Sequence, residues 1–360
     1  MTKKTFNEYQ PDIVTPPGET LQDMLDSLGM TKAELADRIG KTPKHIGEII
    51  KHTAQITPAT AMELEKVLGT PASFWNNRER RYRESLARNE EKNKLKKESP
   101  LLNKFPVRDM INAGWLPEFK DITEQTGALL QYFGVASFRQ WEKLWRSPET
   151  AYRKSKTFSS NPEACSVWLR KGEIEAQQID CQPYNKEKFK AILLEIKSLT
   201  CTAPEKIQMK TVELCAQAGV AVVFVPPVKG VSVYGATRWL TPKKALLLLS
   251  LRGKYEDLLW FTFFHEAGHI LLHGKKEVFI ENTGMRDQQE NEANSFASSF
   301  LIQPAAWKKL IAGNFRTKEF VKRFAEKIGI SPAIVVGRLQ YEKRIPYSHM
   351  NDLRRQFELP

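Results

Sequence analysis

The run Phe261-Thr262-Phe263-Phe264-His265-Glu266-Ala267-Gly268-His269-Ile270-Leu271-Leu272-His273 sets two spaced histidines and a glutamate inside an apolar segment. On a helix, positions i and i+4 share a face, so the ring nitrogens of His265 and His269 can reach one metal ion. Glu266 lies beside them, where its carboxylate can take a proton from water at the metal. That is the minimal apparatus of zinc-assisted peptide hydrolysis. The five-residue pattern alone also fits a helix whose histidines are half-buried. The apolar flanks (Leu258, Leu259 and Trp260 before, Ile270, Leu271 and Leu272 after) suit a buried active-site helix, and Gly274 offers a stop.

Two histidines leave a catalytic zinc one protein ligand short, because such sites use three and a water. A second helical pattern follows at Asp287 to Ala297. If Ala293, Phe296, Ala297 and Phe300 or Leu301 form its buried stripe, Glu290 shares that side and is the expected third ligand. Glu292 points elsewhere and is the alternative. Asn294, one turn beyond Glu290, can steady a metal-binding histidine through its amide. His273 is a further catalytic candidate: it could bind a substrate oxyanion, replace Glu290, or simply pack at the helix end.

With these residues in view, the chain from about Thr200 to Ile345 resembles the ImmA/IrrE family of metallopeptidase domains. The resemblance rests on a H-E-x-G-H-x-x-L-H helix, His265 to His273, and an E-x-x-A-N-x-F-A-x-x-x-L-x-x-P segment, Glu290 to Pro304. It implies a gluzincin-like zinc site with His265, His269 and Glu290 as ligands and Glu266 as general base; manganese is the other candidate ion. Ile302-Gln303-Pro304 stands where the family commonly has Leu-Met-Pro, a change outside the ligand set.

Upstream, Val220 to Val225 is a short β-branched run closed by Pro226-Pro227 and reads as a buried strand. Val231 to Trp239 alternates and reads as a second, and Ala245 to Ser250 as a third. A small sheet of about three strands beside the metal helix would offer an edge to an extended peptide.

The other end of the chain carries an independent signal. Leu35 to Ile50 has the layout of a helix-turn-helix: Ala36 is small where helices cross, Gly40 supplies a turn with positive φ, Thr42 can cap the second helix and Pro43 opens it. Ile46 and Ile49 face inward. That leaves Thr42, Lys44, His45, Glu48 and Lys51 as DNA-facing candidates. Gly18 to about Leu86 resembles the HigA-like branch of XRE regulators, which implies DNA binding as a homodimer. Gly47 costs the second helix roughly 1 kcal/mol relative to alanine. Ala325 to Pro332 repeats the pattern of Ala36 to Pro43, but there Ala333 and Ile334 take the outward positions. A helical closure is expected there, with no base reading.

A net charge of +13 over 360 residues favours an acidic partner such as nucleic acid. The most basic run, Arg78 to Lys97, is interleaved with glutamates and reads as a solvated helix and linker. No segment has the length and apolarity of a membrane span, Met1 to Phe6 lacks a signal-peptide core, and Cys165, Cys181, Cys201 and Cys215 have no C-x-x-C spacing; a reduced, cytoplasmic setting is expected. The fold class expected is mainly α with a small β-sheet (α+β). The expected order is a helix-turn-helix bundle and basic linker at 1–99, a helical connector at 100–199 and a metallopeptidase-like domain at 200–360. The function expected is a regulator that binds double-stranded operator DNA and cleaves a regulatory protein, a repressor or toxin–antitoxin component. The alternative is a non-enzymatic antitoxin-like repressor whose peptidase fold serves as sensor or docking surface.

Overall fold

In a computed structural model, residues 15–145, 161–202, 204–250, 252, 255–274, 278–280 and 287–356 are described. The N-terminal hexapeptide and Pro148 lie outside them. The chain divides into two units, Met1–Glu98 and Ser99–Pro360.

The first unit holds α1 (Pro17–Leu28), α2 (Lys32–Ile39), α3 (Pro43–Ile50), α4 (Pro58–Leu68) and α5 (Ala72–Glu98). Local chemistry sets these bounds. Thr31, Thr42 and Thr57 each accept a bond from a first-turn amide, and Pro43 and Pro58 open their helices. Gly40 ends α2 at φ 68°, the left-handed conformation expected of the turn. Leu21, Leu35, Ala36, Ile46, Ile49, Leu64 and Trp75 form the core. Only Trp75 and Glu79 of α5 are buried, so the basic run is a solvated helix.

The second unit begins with α6 (Val107–Asn112), α7 (Ile122–Phe133), α8 (Phe138–Trp145), α9 (Pro162–Gln178), α10 (Lys186–Leu199) and α11 (Pro204–Ala216). The strands β1 (Val220–Phe224), β2 (Gly235–Thr241) and β3 (Lys244–Leu249) follow, then α12 (Glu256–Leu272), β4 (Val278–Ile280) and α13 (Asp287–Leu301). Helices α14 (Pro304–Ala312), α15 (Lys318–Ile328) and α16 (Pro332–Tyr341) complete it. The aromatics of α8 are core: Phe138, Trp141 and Trp145 are buried. Residues 99–199 belong to the same unit as the sheet, for Trp168 of α9 donates its indole N–H to the Val225 carbonyl at 2.9 Å.

The sheet order is β1-β3-β2-β4, with β1 parallel to β3 and the other pairs antiparallel. It therefore has one short strand beyond the expected three. β2 begins at Gly235, later than Val231, because Val233 and Tyr234 bond through their carbonyls to Ser250 outside the ladder. Period-two alternation gives the sheet two faces. Val220, Val222, Ala245, Leu247 and Leu249 share a core cluster with Phe263 and Phe264 of α12, whereas Leu248 lies against Gly172 of α9.

The repeat at Ala325 to Pro332 does form helix, turn, helix, with Gly329 left-handed and the Ser331 hydroxyl accepting from the Ala333 amide. Ala333 and Ile334, expected on the outside, are instead buried. α16 packs between α12, α15 and the 351–353 turn, which leaves those positions no solvent face. Among the described residues no helix is long and apolar enough to cross a membrane.

At the start of α12, Glu256 is fully buried and Asp257 nearly so. Arg355 pairs with Glu256 at 2.9 Å, Arg354 with Asp257 at 2.9 Å, and the Ser331 hydroxyl donates to Glu256 at 2.8 Å. Burial raises the Asp257 carboxyl above its usual range against the pull of Arg354. Replacing Arg355 with alanine would strand a buried carboxylate. A loss on the order of 3 kcal/mol is expected by urea unfolding, with Glu256→Gln in the same chain recovering part of it.

Candidate functional site

Helix α12 carries its histidines where the sheet, α13 and α16 close around it. His265, Glu266 and His269 are each at most 1% exposed. The Nε2 atoms of His265 and His269 stand 3.0 Å apart. Glu290 of α13 brings one carboxylate oxygen to 3.3 Å from His265 Nε2 and the other to 3.5 Å from His269 Nε2. All three donor atoms fall within 4.8 Å of one another. Tetrahedral zinc with its usual bond lengths separates neighbouring ligand atoms by about 3.3 Å. This two-nitrogen, one-oxygen set therefore has the spacing and chemistry to hold a divalent metal. Glu290 sits there for the expected reason: Ala293, Ala297 and Leu301 are buried against α12, and Glu290 shares their side. Glu292 is not part of the cluster.

Electrostatics suit ligation. Burial drives the His269 imidazole pKa down to about 4, so the ring is neutral near pH 7. Burial would raise Glu290, but hydrogen bonds from His265 and His269 outweigh it and hold the carboxyl at about 2. Each histidine also has a partner behind it. His265 Nδ1 lies 3.0 Å from Asn294 Oδ1, the contact expected of that amide, and His269 Nδ1 lies 2.9 Å from His273 Nδ1.

Two residues at Glu266 were not singled out from sequence. The Thr237 hydroxyl donates to Glu266 Oε2 at 2.6 Å, the short distance of a charge-assisted bond. Gly235, two positions earlier on the same strand face, leaves room for the carboxylate; a Cβ there would stand 2.8 Å from Glu266 Oε1 and 2.6 Å from Thr262 Cγ2. The available signal was a glycine within a strand pattern, which marks a close approach. The far side of β2 is taken by β4, from Ala236↔Ile280 to Arg238↔Val278, so β2 itself offers no free edge beside Glu266. Gln303, where the motif departs from the family it resembles, is an exposed residue at the start of α14.

In the first unit, Thr42, Lys44, His45, Glu48 and Lys51 lie on or just outside α3, whose Ile46 and Ile49 face the core. Lys44 is well exposed, its side chain 86% accessible, and it pairs loosely with Glu48 at 3.9 Å. The Thr42 hydroxyl accepts from the His45 amide and so has a capping role whatever else it does.

Residues 21–75 match the helix-turn-helix family, and residues 219–340 match the IrrE N-terminal-like domain family. The chain joins a helix-turn-helix domain to an IrrE-like domain. It is thus a DNA-binding type of module in one chain with a metallopeptidase-like domain. Two solved structures are similar over the N-terminal part. One, from Nostoc punctiforme and described as an antidote protein of a plasmid maintenance system, is 29% identical over 23% of this chain and 91% of its own, with a TM-score of 0.23. The other, a HigA-family addiction module antidote from Coxiella burnetii, is 30% identical over 24% of this chain and 94% of its own, with a TM-score of 0.22. No curated protein matches the chain.

Crowding at Gly235 gives a direct check. Gly235→Ala should displace Glu266 while leaving His265, His269 and Glu290 in place. Metal content of the purified variant should therefore equal wild type while any hydrolytic activity falls at least tenfold; equal activity would show that Glu266 tolerates the shift.

Proposed function

We propose that this protein is a DNA-binding transcriptional regulator whose IrrE-like domain is a zinc-dependent endopeptidase acting on a specific regulatory protein, a repressor or antitoxin-like chain. The observation that carries the reading is the convergence of His265, His269 and Glu290 donor atoms within 4.8 Å, with the carboxylate of Glu266 buried next to them. Zinc, or manganese, held by those three residues supplies a Lewis acid that acidifies water and polarises a peptide carbonyl. Glu266 takes the proton on its carboxylate and passes it to the leaving amine nitrogen. Thr237 holds Oε2 through both transfers, so one carboxylate oxygen stays aimed. A non-enzymatic docking site has no use for a carboxylate placed as Glu266 is, which favours the enzyme over the purely structural alternative.

The same reading gives α3 the role of recognition helix. Thr42 and His45 lie at its N-terminal end, the end that meets base edges in this motif. Lys44 and Lys51 supply charge for phosphates, and Glu48 can accept from a cytosine amino group. Two copies of the first domain would read a pseudo-palindromic operator.

Metal content separates the readings first. Wild type should carry near one zinc per chain and His265→Ala and Glu290→Ala should lose it; a wild type free of metal under non-chelating conditions leaves the DNA-binding regulator alone standing. Glu266→Gln should keep metal and DNA binding yet abolish cleavage of the partner protein, and a variant that still cleaves removes Glu266 from the mechanism. For the other domain, Lys44→Ala and Lys51→Ala should each lower the slope of log affinity against log salt by about 0.9.

A further inference from the structure

His273 and Glu292 form a chain behind the metal cluster that the proposed mechanism does not use. His273 caps the end of α12, and its side chain is only 3% exposed. Its Nδ1 faces His269 Nδ1 at 2.9 Å, and its Nε2 faces Glu292 Oε2 at 3.1 Å. Glu292 continues outward: its side chain is 44% exposed and its other oxygen accepts from the Gln288 amide at 2.9 Å.

The directions of these bonds follow from the ring chemistry. A neutral imidazole has one N–H and one lone pair. His269 turns Nε2 toward Glu290 and His265, so with a metal ion held among the three that nitrogen gives the ion its lone pair and Nδ1 carries the hydrogen. Nδ1–H can only donate to His273, which must accept at its own Nδ1 and therefore bear its hydrogen on Nε2. That hydrogen goes to the Glu292 carboxylate, which accepts without ambiguity. Reverse any member and two N–H groups, or two lone pairs, face each other.

We infer that His273 is a positioning residue for His269 and that Glu292 is its anchor, so that an exposed carboxylate outside the ligand set fixes the ring rotation and tautomer of a buried metal ligand. The inference rests on the metal-centre reading of His265, His269 and Glu290. It assigns His273 a place behind a ligand instead of against substrate, and it gives Glu292 a task distinct from that of Glu290, two residues earlier. Asn294 serves His265 in the same way from the same helix, so α13 supplies one ligand and the orienting groups for both of the others.

The test is metal affinity of the full chain, read by chelator competition with zinc and by the absorption spectrum of the cobalt-loaded protein. Wild type, His273→Ala, Glu292→Ala and Glu292→Gln should all bind one ion per chain. His273→Ala should weaken binding 10- to 100-fold. Glu292→Ala should weaken it in the same direction, and Glu292→Gln, which keeps an accepting oxygen, should restore part of the loss. Because Glu292 acts through His273, the double alanine variant should bind no more weakly than His273→Ala alone. Unchanged affinity and spectrum in the alanine variants, or losses that add in the double variant, would overturn the inference while leaving the metal centre intact. Absence of metal from wild type would instead remove the reading on which it rests. Glu292 lies largely at the surface, so its variants carry the test even if His273→Ala fails to fold, with metal-free melting temperature as the control.

Discussion

Burial of ionisable groups on α12 is the constraint that the second unit is built around. A helix with His265, Glu266 and His269 out of reach of water is costly unless each polar atom finds a partner. Those partners come from different parts of the chain: Thr237 from β2, Glu290 and Asn294 from α13, and His273 from the helix itself. The N-terminal turn repeats the problem with Glu256 and Asp257, and Arg354 and Arg355 answer it. The apolar contacts of Phe263 and Phe264 supply the drive to bury the helix. The polar contacts decide in which rotation it can be buried, since any other would leave a carboxylate or an imidazole facing hydrocarbon.

What could be read from the sequence follows the range of the interactions. The approach of His265 to His269 was legible because i and i+4 are fixed by helix geometry, and that of Glu290 because the small residues Ala293 and Ala297 mark the packed side of α13. The helix-turn-helix was legible because glycine, a hydroxyl cap and proline are local instructions that α2 and α3 obey. Gly235 and Thr237 were missed because a strand pattern does not say which helix will lie on it. Arg354 and Arg355 were missed because their carboxylates are about a hundred positions away and no periodicity links them. The extent of β2 was misjudged because Val231 to Tyr234 alternates like a strand although its carbonyls bond to Ser250 instead.

The two helix-turn-helix segments show how far local code goes. Thr42-Pro43 and Ser331-Pro332 start helices in the same way, after left-handed Gly40 and Gly329. Yet α3 keeps Lys44 in solvent, whereas α16 is enclosed and presents Ala333 and Ile334 to the interior. The turn chemistry specifies a corner between helices. Whether that corner meets a partner or closes a core depends on side chains outside the corner and on what packs over them.

Pairing Glu256 and Asp257 with residues 354 and 355 also sets an order in time. A chain made from its N-terminus folds its units as they emerge. The first unit ends at Glu98 and draws its core from its own residues, so it can fold before the second unit is synthesised. The helix bearing His265, Glu266 and His269 has no such freedom. Its first turn holds two carboxylates whose cationic partners lie about a hundred positions further along, so a settled α12 must wait until residues 354 and 355 have emerged. Growth of the chain thus makes the helix-turn-helix module available before the metallopeptidase-like domain can settle.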